Sequence, residues 1–130
     1  MTPLPTAQAE HSRFVQRVCR RYPTELAQMP PGVPDVAMIT ALVAHLAAGG
    51  RPLVSALRVA RQLVLERLAV LDTEQQAPLE HITGAMTALA EATLELALAQ
   101  SRADEDARHG MPRNATGQVI DFWIIGMGKL

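Results

Sequence analysis

The sequence predicts a mainly α protein, a helical bundle of about four helices followed by a single β-strand. Three observations carry that expectation. The long middle of the chain is rich in Ala and Leu, with apolar residues at helical spacing. Only four aromatics occur, and two of them, Phe122 and Trp123, lie beside the C-terminus. Prolines cluster at the front, while Gly110, Gly117, Gly126 and Gly128 crowd the end.

The elements follow in order. A first helix is expected from about Thr6 to Arg21, with Phe14, Val15, Val18 and Tyr22 on one face and Pro23 as its stop. After a proline-broken segment to Pro34, Asp35 is a good N-cap for Val36, Ile39, Val43 and Leu46, and Gly49-Gly50 supplies the exit. Pro52 fits the first position of a third helix, whose stripe is Leu53, Leu57, Val64, Leu68 and Leu71. A fourth opens near Pro78, carries Leu79, Ile82, Met86, Leu89 and Leu96, and closes at Gly110 before Pro112. Each stripe is one-sided, so the helices must pack on one another or on something else.

Composition excludes several classes. The chain has 130 residues and 14.1 kDa, with 48% apolar and 19% charged residues, the balance of one globular domain. Its formal charge of -1 gives no basic surface for nucleic acid. One cysteine, Cys19, permits no internal disulfide and suits a reducing cytoplasm. The start, Met1-Thr2-Pro3-Leu4-Pro5, lacks the pattern of a signal peptide, and the apolar stretches are expected to fall short of a membrane span.

The tail differs in kind. Val119 to Ile125 is β-branched and aromatic and is bounded by glycines, the signature of a buried strand. A lone strand cannot satisfy its own backbone, and no second strand is evident upstream. The sequence closes on Gly126-Met127-Gly128-Lys129-Leu130, in what should be a strand-to-helix turn, so the chain is expected to be incomplete. Such a turn lets backbone N–H groups approach an anion, and Lys129 adds a point charge for phosphate. The spacing is neither the dinucleotide fingerprint nor a P-loop. A tight turn with an exposed lysine is its plain structural meaning.

The run Ile124 to Leu130, I-I-G-M-G-K-L, resembles the opening signature of the nucleotidyltransferase domain in glutamine-synthetase adenylyltransferases. Arg108 to Arg113, R-H-G-M-P-R, is similar to the linker of that family. Ala56-Leu57-Arg58 with the arginines after it, Ile82 to Ala90, and Ser12-Arg13-Phe14-Val15 resemble its helical region. The resemblance implies residues 1–117 as a helical N-terminal region and 118–130 as the start of a nucleotidyltransferase α/β domain. It implies a bifunctional enzyme that attaches AMP to a tyrosine of glutamine synthetase and removes it by phosphorolysis, using ATP/ADP and Mg²⁺ in the cytoplasm. The G-M-G-K-L form is closer to the AMP-removing copy. Gly126, Gly128 and Lys129 would begin the phosphate site, and glutamine synthetase and a PII-type signal protein would be the partners.

Two departures stand out. The Arg-Asp pair of the family's arginine-rich helix appears only as Arg67 and Asp72, at altered spacing. The two aspartates that hold the metals in the family are not within the sequence, so the 130-residue chain alone is expected to be inactive. The remaining candidates have plainer readings. His11, His45, His81 and His109 are too scattered for a metal site. Cys19 reads as a small core or boundary residue, and Arg58, Arg61 and Arg67 as a solvated face balanced by Glu66. The charged run Arg102 to Arg108 reads as a solvated last turn, and Met29, Met38 and Met86 as core gap-fillers. Two other classes stay open: a non-catalytic helical interaction module whose terminal strand joins another sheet edge, and a Rossmann-type nucleotide binder.

Overall fold

Ser12 begins the ordered helices by the mechanism its position suggests: its hydroxyl accepts the Val15 amide, capping α1 (Arg13–Arg21). A computed structural model describes residues 8–128. A short 3₁₀ turn, Gln8–His11, precedes α1; Thr6, expected as the helix start, lies outside the described residues. Val15, Val18 and Tyr22 are buried as the stripe predicts.

Pro23 does more than stop α1. It is the first residue of a further helix, α2 (Pro23–Gln28), where a missing N–H costs nothing because that donor has no helical partner. The expected irregular segment therefore contains a helix. Beyond it, Arg67 donates Nη1 to the carbonyls of Pro30 at 2.7 Å and Gly32 at 3.0 Å, fastening the proline loop to a later helix. Arg67 is thus a staple and not part of a solvated face.

Asp35 caps α3 (Val36–Ala48) as expected, accepting the Met38 amide at 2.7 Å. Pro52 precedes α4 (Leu53–Thr73) by one residue. Helix α5 (Leu79–His109) ends at Gly110, whose φ of +78° is one that glycine adopts without strain.

Helices α3, α4 and α5 pack mutually, and α1 lies on α4. Ile39, Val43, Leu63, Val64 and Val18 form the centre of the core. The face that α5 turns inward is Ala85, Ala88, Leu89 and Ala92, while Leu79 and Met86 are exposed. Of the expected stripe, Leu89 is buried and Ile82 and Leu96 pack against the core, whereas Leu79 and Met86 face outward; the alanines that the stripe omits let the helices approach closely. Glu66 corrects a second expectation. It is buried, its Oε1 lies 3.9 Å from the Cys19 sulfur, and burial pushes its carboxyl above the ordinary range, with the neighbouring Arg67 opposing.

At about 1.5 Å per residue, the 31 residues of α5 span about 46 Å, well beyond α3 and α4. By length and composition alone α5 could cross a membrane, contrary to the expectation that the apolar stretches fall short. Here its apolar surface serves two neighbours, the bundle on one side and the C-terminal tail on the other.

The expected strand Val119 to Ile125 is absent among the described residues. The tail is extended, but its only β pairing is an isolated antiparallel bridge between Arg113 and Val119. The physical reason is the one the sequence raises: no second strand lies beside it, so no ladder forms.

Candidate functional site

The region that bears the candidate phosphate residues is built in three pieces: a self-bonded turn, a fastening on α5, and an extended segment over a groove. The turn comes first. Asn114 Oδ1 accepts from the Thr116 amide at 3.0 Å, the Thr116 hydroxyl at 2.7 Å and the Gln118 amide at 2.9 Å. Asn114 N–H donates to the Gln118 carbonyl, and Arg113 Nη1 donates to the Gly117 carbonyl at 2.7 Å. Such side-chain mimicry of a backbone turn is what asparagine does best. The Ile120 amide closes the structure onto the Pro112 carbonyl at 2.9 Å.

The fastening is Arg102. Its Nε donates to both oxygens of Asp106 at 3.2 Å, and its Nη2 donates to the Ile120 carbonyl at 2.6 Å. Past Ile120 the chain doubles back beside α5. Together they enclose a groove of about 780 Å³, lined on α5 by Met86, Ala90, Leu94 and Leu98 and on the tail by Phe122, Trp123, Ile124, Gly126 and Gly128. Met86 therefore serves this groove and not the helical core.

The sequence-predicted residues can now be placed. Gly126 and Gly128 both line the groove, and Gly128 has a φ of +78°, the left-handed backbone that favours glycine. Nothing lies within 4 Å of a Cβ built on Gly128, so its requirement is conformational and not one of space. Lys129 lies outside the described residues. The charged side chains on the groove wall are Glu91, Glu95 and Asp121, all carboxylates. Among the described residues, an anion here would meet that acidic wall and could be held by backbone N–H groups alone.

Among the described residues no three of His, Cys, Asp and Glu converge as metal ligands. The described residues by themselves therefore do not fit a magnesium centre. His45 instead pairs with Gln28 at 3.0 Å, and His109 lies 3.5 Å from Glu105 at the end of α5. Arg58 and Arg61 are exposed, as a solvated face requires.

The reading of Arg102 to Arg108 as a solvated turn is overturned at Arg102 and Asp106, which are paired and only about a quarter exposed, and Asn114 was missed. Their signals were present: an i, i+4 Arg–Asp pair, and an Asn three residues before a glycine. The carbonyl of Ile120, eighteen residues away, leaves no such trace.

A family model described as glutamate-ammonia ligase adenylyltransferase matches residues 6–130. Several curated proteins are similar, all named bifunctional glutamine synthetase adenylyltransferase/adenylyl-removing enzyme. That of Aromatoleum aromaticum is 33% identical over 99% of this chain and 14% of its own length. That of Ralstonia nicotianae is 34% identical over 92% of this chain and 14% of its own. That of Burkholderia mallei is 39% identical over 65% of this chain and 10% of its own. The chain thus spans about a tenth to a seventh of the length of these relatives. No solved structure matches it.

Proposed function

The chain belongs to the glutamate-ammonia ligase adenylyltransferase family, and from that premise we propose that it forms the helical region and the entry to the nucleotide site of the half that removes AMP from a tyrosine of glutamine synthetase. In that reaction phosphate attacks the AMP phosphorus, the bond to the tyrosine oxygen breaks, and ADP and free tyrosine leave. The observation that carries the reading is the family match running through the glycine turn at 126–130.

Within this reading residues 1–117 are scaffold and 118–130 open the nucleotidyltransferase domain. Gly126 and Gly128 let the backbone approach phosphate oxygens closely, and Lys129 supplies the positive charge that the acidic groove wall lacks. The whole enzyme works in the cytoplasm with ATP/ADP and Mg²⁺, on glutamine synthetase and under a PII-type signal protein. The magnesium ligands are contributed from outside the described residues.

The test is a chimera in which this segment replaces the matching stretch of the Aromatoleum aromaticum enzyme. Lys129→Ala is expected to slow phosphate-dependent AMP removal by about tenfold or more while AMP attachment stays within about twofold. A loss confined to attachment assigns the segment to the opposite half. Both rates unchanged would remove Lys129 from the phosphate site. The 130-residue chain by itself is expected to catalyse neither reaction.

A further inference from the structure

Residues four apart along α5, Met86, Ala90, Leu94, Leu98, Arg102 and Asp106, form a row in which each neighbours the next. The row winds about 40° per step around the helix, from the groove at one end to the base of the tail at the other. The first four are groove wall for the tail, and the last two end the row in a charged fastening. Both Asp106 carboxylate oxygens accept from the single Nε–H of Arg102, and Nη2 of the same guanidinium donates to the Ile120 carbonyl, so the group is held at two points. Both side chains are only about a quarter exposed, at 26% and 22%, which limits competition from water.

Ile120 is bound from two sides. Its carbonyl is held by α5 through Arg102, and its amide is held by the Asn114 turn through Pro112. Only five residues lie between Ile120 and Gly126, a reach of at most about 22 Å. The point at which the tail leaves α5 therefore bounds where the glycine turn can stand. Beyond this point the grip is weak, because Phe122, Trp123 and Ile125 are exposed.

We propose that Arg102 is the positioning residue of the nucleotide site: braced by Asp106, it fixes the point from which residues 121–128 depart and so sets where Gly126 and Gly128 stand. This rests on the reading of the glycine turn as a phosphate site. Arg102 touches no substrate; it acts through the Ile120 carbonyl. Lysine replaces it poorly, since one ammonium on a flexible stem cannot present a planar fork to Asp106 and Ile120 together.

The geometry is tested on the 130-residue chain, with Arg108→Ala as control because Arg108 only pairs at 3.8 Å with exposed Glu105. Arg102→Ala is expected to lower the fluorescence anisotropy of Trp123, the only tryptophan, and to speed amide exchange at Ile120 about tenfold. Arg102→Lys is expected to fall between. Asp106→Asn, which keeps the side-chain shape, is expected to move both readouts in the same direction and guards against a variant that merely frays α5. Readouts identical to those of Arg108→Ala overturn the proposal. In the Aromatoleum chimera, Arg102→Ala is expected to raise the KM for inorganic phosphate about tenfold, with partial rescue by Arg102→Lys. A loosened tail with unchanged KM overturns the positioning role. Lys129→Ala, assayed alongside, reports separately on the phosphate site: if it leaves KM unchanged while Arg102→Ala loosens the tail, the phosphate reading fails and the fastening stands.

Discussion

The bundle and the tail are both rich in apolar residues and meet opposite fates. In α3, α4 and α5 the backbone satisfies itself, so Ile39, Leu63 and Val64 need only a partner surface, and neighbouring helices supply it. In residues 119–127 the backbone needs a neighbouring strand and has one bridge, so Phe122, Trp123, Ile125 and Met127 stay exposed. The difference teaches that apolar character alone does not decide burial. A segment first needs somewhere to place its N–H and C=O groups.

The largest effect expected from this contrast lies in the core. Leu63→Ala, at a side chain with no exposure, should cost about 2–5 kcal/mol in chemical denaturation followed by circular dichroism. Trp123→Ala should cost under about 0.5 kcal/mol, because little packs on it. Equal losses would erase the distinction between the two regions. Next in size is Asp35→Ala, which removes a cap donor–acceptor pair at 2.7 Å and should cost about 1 kcal/mol.

A third test concerns association. Deleting residues 119–130 should reduce concentration-dependent self-association in sedimentation, since the deletion removes the exposed apolar stretch, and should leave helix content nearly unchanged. A chain that remains monomeric with and without those residues would argue that the tail is already satisfied.

How much of this was legible in the sequence divides along the same line. Asp35, Gly110 and the α1 stripe are local signals, read within one turn of chain, and the structure agrees with them. Pro23 was legible as a breaker, yet its other role as a helix opener won. The inward face of α5 was legible in part: Leu89, Ile82 and Leu96 pack on the core, but Ala85, Ala88 and Ala92 went unread because hydropathy ranks alanine below leucine and methionine. For the candidate site, the glycine turn was visible as a motif, whereas the Arg102 fastening depends on a distant carbonyl. Arg67 is the same case: its acceptors are the Pro30 and Gly32 carbonyls, which no residue pattern encodes.

The smallest effect is one of sign. The buried Glu66 carboxyl titrates above its ordinary value of 4.5 because burial disfavours its charge. A raised acid binds its proton more tightly in the folded state. Its contribution is therefore most favourable below the unfolded value and is lost as pH climbs through the folded one. Glu66→Gln keeps an acceptor for Cys19 and never ionises. Its melting temperature should exceed that of the parent chain at neutral pH, and the gap should close toward pH 4. A gap that widens on acidification would reverse the assignment.

The account depends most on the tail having no ladder of its own. Residue-resolved amide hydrogen exchange on the 130-residue chain tests this directly. The core of α3 and α4 should be strongly protected, Ile120 partly protected through Pro112, and residues 121–128 should exchange at close to unprotected rates. Alternating, strand-like protection across 121–125 in this chain would contradict it.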